Sequence, residues 1–316
     1  MRWSTFFVIA AAIAAIAFGL ARYAGNEYYF FAAYVVLQYV VLATAWNILG
    51  GYAGYVNFGS AAFFAAGAYS TIAIHQFYPL PIPVLIVIAG AVSGLIGFGT
   101  GYLTLRLRGV FFAIATLALA VVLQTLIVNW DYVGGSRGAY LLRPQEFPFI
   151  GSYMQYLFLM MLLLAIFAVS AARLIERSWL GFGLAAIRDD EAAAEASGVP
   201  TLRLKLIATT VSGAFMGMAG APFPYLIGYV DPASVFNLAY AVNAIAMPMI
   251  GGTTTWIGPV IGAILLGTIQ QVATVTISSA VNLLIVGLVL VAFVIVAPNG
   301  IVGLFQSWFR KKKVRR

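Results

Sequence analysis

Residues 109–129 read GVFFAIATLALAVVLQTLIVN, a run of 21 residues without a charged side chain. About 20 consecutive apolar residues are needed for an α-helix to cross the hydrocarbon core of a bilayer, so this stretch is typical of a membrane span. An outer-membrane barrel would show alternating segments of about ten residues instead. The unbroken run therefore favours a helical membrane protein.

The composition of the whole chain agrees with that interpretation. Of the 316 residues, 63% are hydrophobic and 8% are charged, and the mean hydropathy is +1.00. Soluble domains carry roughly 25% charged residues, and a single core cannot bury so much apolar surface. Disordered chains have the opposite composition. We expect an all-α polytopic integral membrane protein, with residues 1–316 forming one transmembrane domain.

Ten apolar runs are candidate spans. They are residues 4–22, 28–49, 56–75, 81–104, 109–129, 152–173, 204–227, 238–250, 257–275 and 280–297. The first could be a signal peptide, because Arg2 precedes it and small residues follow, but we favour an uncleaved helix. Run 238–250 is short and could be re-entrant. The prediction is therefore about eight to ten crossings.

The distribution of cations predicts the orientation. Ten spans with both termini in the cytoplasm place 14 of the 17 cations inside, namely Arg2, Arg106, Arg108, Arg173, Arg177, Arg188, Arg203, Lys205, Arg310, Lys311, Lys312, Lys313, Arg315 and Arg316. Cytoplasmic loops carry such an excess of Lys and Arg. The basic tail, 299–316, is interpreted as an anchor on anionic lipid rather than a nucleic-acid site.

The titratable residues argue against several kinds of chemistry. The chain has no cysteine and one histidine, His75, which disfavours metal sites and Ser-His catalysis. No carboxylate falls in the middle of a predicted span, whereas proton-driven carriers typically have intramembrane carboxylates. A phosphate-binding GxxxxGK[ST] motif is absent, so any ATP that drives this protein must bind to another subunit.

One cytoplasmic loop, about 174–203, holds five of the nine acids. They are Glu176, Asp189, Asp190, Glu191 and Glu195. Within it, 184–197 is rich in Ala and Glu and predicts a short helix, which Ser197-Gly198 and Pro200 end. Such a helix could dock on a soluble partner, or it could be an ordinary solvated helix.

The sequence of this loop and the following span resembles a known family. GLAAIRDDEAAAEASGVPTLRLKLIATTVSGAFMGMAGA, 183–221, is similar to the signature of ABC-transporter permeases of the high-affinity branched-chain amino-acid type, in their LivM-like branch. The positions that match there include Arg188, Glu195, Gly198 and Lys205. Five further fragments agree in order: WNILGGYAGYVNFGSAAFFAAGAYS (46–70), LTLRLRGVFFAIATLALA (103–120), GGSRGA (134–139), GYVDPASVFNLAYAVNAIAMPMIGGTTTWIGPVIGAI (228–264) and APNGIVGLF (297–305).

The resemblance implies a coupling helix in the loop that contacts a cytoplasmic ATPase. The residues that would take this role are Arg188, Asp189, Asp190, Glu191, Glu195 and Gly198. Polar contacts at the rim of such a docking surface fix its register. Charge reversal at Glu191 and Glu195 is predicted to uncouple ATP hydrolysis from transport without unfolding the protein.

The resemblance also implies a set of partners. They are a second related permease, two cytoplasmic ATPase subunits that bind ATP and Mg, a periplasmic substrate-binding protein and the lipid bilayer. This chain itself would hold no cofactor, would not be an enzyme and would bind no nucleic acid. Its place would be the bacterial inner membrane.

Uncharged polar residues near the span ends are candidates for a translocation path, because broken helices with free backbone groups line many transport sites. They are Tyr52, Tyr55, Asn57, Ser60, Tyr69, Gln124, Asn243 and Thr253. In the outside loop around 132–143, Arg137 and Arg143 are candidates for contact with the binding protein. Each of these residues could equally be a packing or connecting residue.

The predicted function is a permease subunit of an ATP-driven importer of branched-chain or related amino acids. Urea, short amides and small carboxylates are alternative substrates, since the family usually has Ser at the position of Asn57 and His at that of Ser60. A self-contained channel or ion-coupled carrier is a more remote alternative. Sodium held by backbone carbonyls would need few charges.

Overall fold

The computed structural model describes residues 26–141, 151–276, 281–296 and 300–304, and the single residues 12, 15, 19 and 23. The helices in these ranges are α1 Glu27–Ala53, α2 Ser60–Phe77, α3 Ile82–Thr104, α4 Val110–Val128, α5 Tyr153–Glu176, α6 Trp179–Asp189, α7 Glu191–Ala196, α8 Thr201–Gly220, α9 Phe223–Ile227, α10 Pro232–Val235, α11 Leu238–Gly251, α12 Ile257–Thr276 and α13 Val281–Val296. Two strands, β1 Ala139–Tyr140 and β2 Tyr229–Val230, pair antiparallel. Most of the predicted run 4–22 (all but residues 12, 15 and 19), residue Arg143 and tail residues 305–316 lie outside the described residues.

Nine of the ten predicted runs coincide with helices. In the part of the chain that the structure describes, seven segments are long and apolar enough to cross a membrane: α1, α3, α4, α5, α8 with α9, α10 with α11, and α12. The polytopic all-α prediction is confirmed. Run 238–250 is α11, and together with α10 it forms a candidate span of 20 residues, Pro232–Gly251. The total of eight to ten crossings stays a prediction.

Local chemistry explains where the longest helix begins and ends. The side chain of Asn26 accepts the N–H of Tyr28 and caps α1. At the other end Gly54 has φ +76°, the left-handed conformation that commonly ends helices. The capping residues therefore set the length of α1 at 27 residues.

Close helix crossings form the interior. A Cβ atom at Gly67 of α2 would lie 2.0 Å from the carbonyl oxygen of Gly217 in α8, so only glycine fits there. Ser93 of α3 donates its hydroxyl to the carbonyl oxygens of Phe63 and Gly213, at 3.0 and 2.8 Å. These contacts hold α2, α3 and α8 together without charge.

The alternating helices bring two sets of chain connections to opposite ends of the bundle. One end holds the α1–α2 link, the α3–α4 turn and α6–α7, and we call it the loop face. The other end holds β1, β2 and α9–α10, and we call it the sheet face. Most of the predicted coupling residues lie on the loop face, and Arg137 lies on the sheet face.

Candidate coupling site on the loop face

The predicted single helix 184–197 is wrong, because the structure divides it at Asp190. Helix α6 ends at Asp189, and Asp190 has extended backbone angles of −160° and 108°. The Asp190 carboxylate accepts the N–H of Ala193 at 3.0 Å and so caps the start of α7. An Asp cap satisfies an otherwise unpaired donor, and here it outweighs the helix propensity of the alanines on both sides. The predicted stop is confirmed, since Gly198 has φ +86°.

Helix α6 lies against the bundle through one apolar face. Leu184 and Ile187 are buried against the core. Trp179 and Phe182 are exposed on the other side. The helix therefore presents aromatic side chains away from the bundle, together with the exposed carboxylate of Asp189.

Glu191, the first residue of α7, points inward and forms an ion pair with Lys205 of α8. The Lys205 ammonium lies 2.7 Å from Glu191 Oε1, and the two side chains are 3% and 13% exposed. Tyr55 donates its hydroxyl to Glu191 Oε2. Lys205 also donates to the Tyr55 hydroxyl at 3.0 Å and to the Leu105 carbonyl oxygen at 3.3 Å. We call Glu191, Lys205 and Tyr55 the clasp.

The electrostatics of the clasp keep Glu191 ionised. Burial raises the pKa of its carboxyl, but the hydrogen bonds from Lys205 and Tyr55 and the charges of Lys205 and Arg108 outweigh burial, and the pKa lies below its usual value. Burial, together with the bond to the Glu191 carboxylate and its charge, raises the pKa of the Tyr55 hydroxyl. The site is therefore a carboxylate held by an ammonium and a neutral phenol.

Four further contacts fasten the loop to the bundle. Arg188 donates to the carbonyl oxygen of Gly51, at the end of α1, over 3.3 Å. Glu176, the last residue of α5, accepts the N–H of Trp256 at 2.6 Å. Arg108 lies 3.7 Å from Glu191 and 3.5 Å from Glu195, and the Arg108 and Glu195 side chains are 60% and 62% exposed. Both ends of the loop are thus joined to neighbouring segments.

The predicted coupling residues therefore divide into two groups. Five are exposed, namely Arg188, Asp189, Asp190, Glu195 and Gly198, and the first four also make hydrogen bonds or ion pairs within the chain. Glu191 has both carboxylate oxygens engaged by residues of this chain. Its charge is used inside the protein, so reversing it would leave Lys205 facing a like charge.

The predicted path residues do not come together in one place. Tyr52, Tyr55, Asn57, Ser60 and Thr253 lie near the loop face, while Tyr69 and Asn243 lie deeper and Gln124 lies on α4. The Tyr52 hydroxyl donates to the Ala172 carbonyl oxygen at 3.3 Å, and the Asn57 side chain accepts the N–H of Gly59 at 2.7 Å. These residues are therefore packed, and their role in translocation stays a prediction.

Deeper in the bundle, an uncharged hydrogen-bonded group joins three helices. Asn243 of α11 donates to the Tyr39 hydroxyl at 3.2 Å and accepts from Gln270 of α12 at 2.9 Å. The hydroxyls of Ser60 and Tyr69 are buried and have no hydrogen-bond partner among the described residues. A surface groove of about 740 Å³ between α1, α5 and α12 is lined by none of the predicted path residues.

The sheet face includes a glycine-rich turn around Arg137. Gly134, Gly135 and Gly138 all have positive φ. The side chain of Arg137 is exposed, and its carbonyl oxygen accepts the Tyr229 hydroxyl at 2.8 Å. Its predicted role in binding-protein contact stays a prediction, as does that of Arg143.

Sequence reasoning did not single out Lys205 or Arg108 as site residues. Arg108 was named only as a cation that sets the orientation, and Lys205 only as such a cation and as a position that matches the family signature. The signal that could have identified Lys205 is its place as the fifth residue of an apolar helix, because a charge inside such a helix needs a partner.

Comparison with known proteins agrees with this architecture. The family model "Branched-chain amino acid transport system / permease component" matches residues 28–294. The permease protein LivM of the high-affinity branched-chain amino acid transport system of Salmonella typhimurium is 27% identical over 88% of this chain and 71% of its own length, and the Escherichia coli LivM gives the same values. No solved structure matches the chain.

Two more distant relatives are transport permeases as well. A probable branched-chain amino acid transport permease protein LivH of Methanocaldococcus jannaschii is 24% identical over 82% of this chain and 85% of its own. The autoinducer 2 import permease protein LsrC of Yersinia enterocolitica is 26% identical over 56% and 51%. Since the family model covers most of the chain and seven helical segments are long and apolar enough to span a membrane, the protein is a multi-pass membrane protein that belongs to the branched-chain amino acid transport permease family.

Proposed function

We propose that this chain is the LivM-like permease subunit of an ATP-driven importer that takes up branched-chain amino acids across the bacterial inner membrane. The observation that carries the proposal is the loop α6–α7, which is bonded to the span ends on one side and presents exposed acids on the other. The match to LivM relatives over 88% of the chain supports the substrate class.

In this proposal the loop face is cytoplasmic and the sheet face is external. The excess of Lys and Arg on the loop face supports that orientation. A cytoplasmic ATPase would then contact the exposed acids Asp189 and Glu195 and the exposed aromatic ring of Phe182 on α6. Aromatic side chains surrounded by charges are common at docking surfaces of soluble partners.

The substrate would cross between this chain and a second, related permease. The packing of the chain's own interior supports this view, because Tyr52, Asn57, Ser60 and Tyr69 are buried among helices. A binding protein would deliver the substrate to the sheet face, where Arg137 and the exposed rings of Tyr132 and Tyr140 are accessible. ATP and Mg would bind only to the ATPase subunits.

The test is reconstitution of this chain in vesicles with a second permease, two ATPases and the binding protein. Uptake of labelled leucine, isoleucine and valine should require ATP on the side of the membrane where the ATPases bind. Omission of the ATPases should abolish uptake. Uptake without the ATPases would contradict the proposal in favour of a channel or carrier. Uptake of urea, an amide or a small carboxylate in place of the amino acids would overturn the substrate class alone.

A further inference from the structure

The clasp connects α7 to three other parts of the bundle through one buried cation. The Lys205 ammonium, on α8, lies 2.7 Å from Glu191 Oε1. It also lies 3.0 Å from the Tyr55 hydroxyl in the α1–α2 link and 3.3 Å from the Leu105 carbonyl oxygen in the turn after α3. The Lys205 ammonium also lies 4.6 Å from the centre of the Tyr55 ring. A displacement of Glu191 therefore acts directly on the inner ends of several spans.

The position of Tyr55 is itself constrained. Its ring packs edge-on against Phe112 of α4, with ring centres 5.1 Å apart. Its hydroxyl both donates to Glu191 and accepts from Lys205, so the phenol bridges the two charges. The clasp has few alternative arrangements, because each of its side chains is a hydrogen-bond partner of the other two.

Glu195 is a contrast within the same helix. It lies one turn after Glu191, is 62% exposed, and its ion pair is with Arg108, which is 60% exposed. A surface pair of this kind has little influence on geometry, because both side chains can move in water. Glu195 is thus free for an external partner, while Glu191 holds α7 to the bundle.

A buried ion pair is not needed for stability alone, since apolar side chains of similar volume often give the folded protein equal or greater stability. An ion pair with a bridging hydroxyl instead fixes α7 in one position relative to α8 and the α1–α2 link. Resting on the proposed function, we propose that Lys205 is a positioning residue that makes α7 and the inner ends of α1, α3 and α8 move as one body. ATPase movements delivered to the loop would reach the spans through the clasp.

The experiment measures substrate imported per ATP hydrolysed by the full complex in vesicles. The test variant carries Lys205→Met together with Glu191→Gln, which removes both charges and leaves neither buried alone. We expect assembly and at least half of the ATP hydrolysis, with import per ATP reduced tenfold or more. A ratio within twofold of the unmodified complex overturns the proposal.

A matched control is Arg203→Gln, an exposed cation two residues earlier on the same helix. Its ratio should stay within twofold, and a tenfold loss there would overturn the specific role of Lys205. Failure of the unmodified complex to import any substrate would instead count against the proposed function. The two failures are therefore distinguishable.

A gentler variant keeps the test informative if the pair variant does not assemble. Tyr55→Phe removes only the bridging hydroxyl and keeps the ring contact with Phe112. Import per ATP should fall about threefold, and the melting temperature should fall modestly because the lost hydroxyl is bonded to two charged groups. An unchanged ratio would overturn the clasp as the connecting element.

Discussion

The two faces of the bundle are held together by different kinds of bond. On the loop face, the contacts involve the charges of Glu191, Lys205, Arg188 and Glu176. On the sheet face the Asp231 carboxylate accepts the N–H of Ser234, but the contacts between segments named here are neutral: β1 pairs with β2, and the Tyr225 hydroxyl lies 2.8 Å from His75 Nδ1. Tyr132 also donates to the Ala73 carbonyl oxygen at 3.1 Å.

This difference has an energetic consequence. A buried charge that loses its partner pays for desolvation without compensation, whereas a neutral hydrogen bond contributes only about 0.5–1.5 kcal/mol net. The loop face is therefore sensitive to single side chains, and the sheet face is sensitive mainly to its backbone. A rigid loop face suits contact with the proposed ATPase. A sheet face that is less sensitive to single side chains suits contact with the proposed binding protein.

Lys205→Met should have the largest effect, because it leaves the Glu191 carboxylate without its cation. The expected loss is about 3–5 kcal/mol in the free energy of unfolding. Thermal unfolding in detergent measures it, with Arg203→Gln as the control. Addition of Glu191→Gln should recover part of the loss, and no recovery would contradict the assignment of the ion pair.

Gly138→Ala should be damaging on the sheet face. Gly138 has φ +74°, and a Cβ atom there would lie 2.6 Å from the Val230 carbonyl oxygen, so the β1–β2 pairing would have to shift. Strain of this kind costs about 1–3 kcal/mol. Ala at Gly99, which has no atom within 4 Å, is the control. Equal melting temperatures for both variants would refute the backbone explanation.

The stability contributed by Glu191 should depend on pH. Its pKa is lower in the folded protein than the unperturbed value of 4.5, so the folded state binds fewer protons than the unfolded state. The contribution is complete above the unfolded pKa and is lost as pH falls through the lowered one. The melting-temperature difference between the unmodified protein and Glu191→Gln should narrow on acidification below that range. A constant difference would count against an ionised clasp.

Tyr225→Phe removes the hydroxyl that bonds to His75 on the sheet face. The expected cost is about 1 kcal/mol, the usual value for one neutral hydrogen bond. Import per ATP should be unchanged, which distinguishes this variant from Tyr55→Phe. A drop in import per ATP would show that contacts on the sheet face also affect coupling at the loop face.

Glu195→Gln should have the smallest effect on stability. Its partner Arg108 is largely exposed, and such surface pairs are worth about 0–1 kcal/mol. The melting temperature should therefore shift little, and the shift should become smaller still at high salt, which screens exposed charges. A loss of unfolding free energy as large as that of Lys205→Met would mean that the exposed Glu195–Arg108 pair, rather than the clasp, holds α7 to the bundle.

The fold was largely predictable from hydropathy, because long apolar runs such as 109–129 admit one secondary structure in a membrane. The division of the loop at Asp190 was not, since alanine-rich sequence on both sides favours one continuous helix and the cap decides only locally. The clasp follows from that division, because it turns Glu191 toward Lys205, 14 residues later. Spacing along the chain contains no sign of such a contact.

The clasp can be tested most directly by a distance measured during the ATP cycle. The chain has no cysteine, so spin labels can be placed on single introduced cysteines at Ala196 in α7 and Leu103 in α3, both exposed. We predict one narrow distance distribution that is the same in the ATP-bound and nucleotide-free complexes, and that broadens when Lys205→Met and Glu191→Gln are added. A change of more than about one helical turn, roughly 5 Å, between the two nucleotide states of the unmodified clasp would contradict the account.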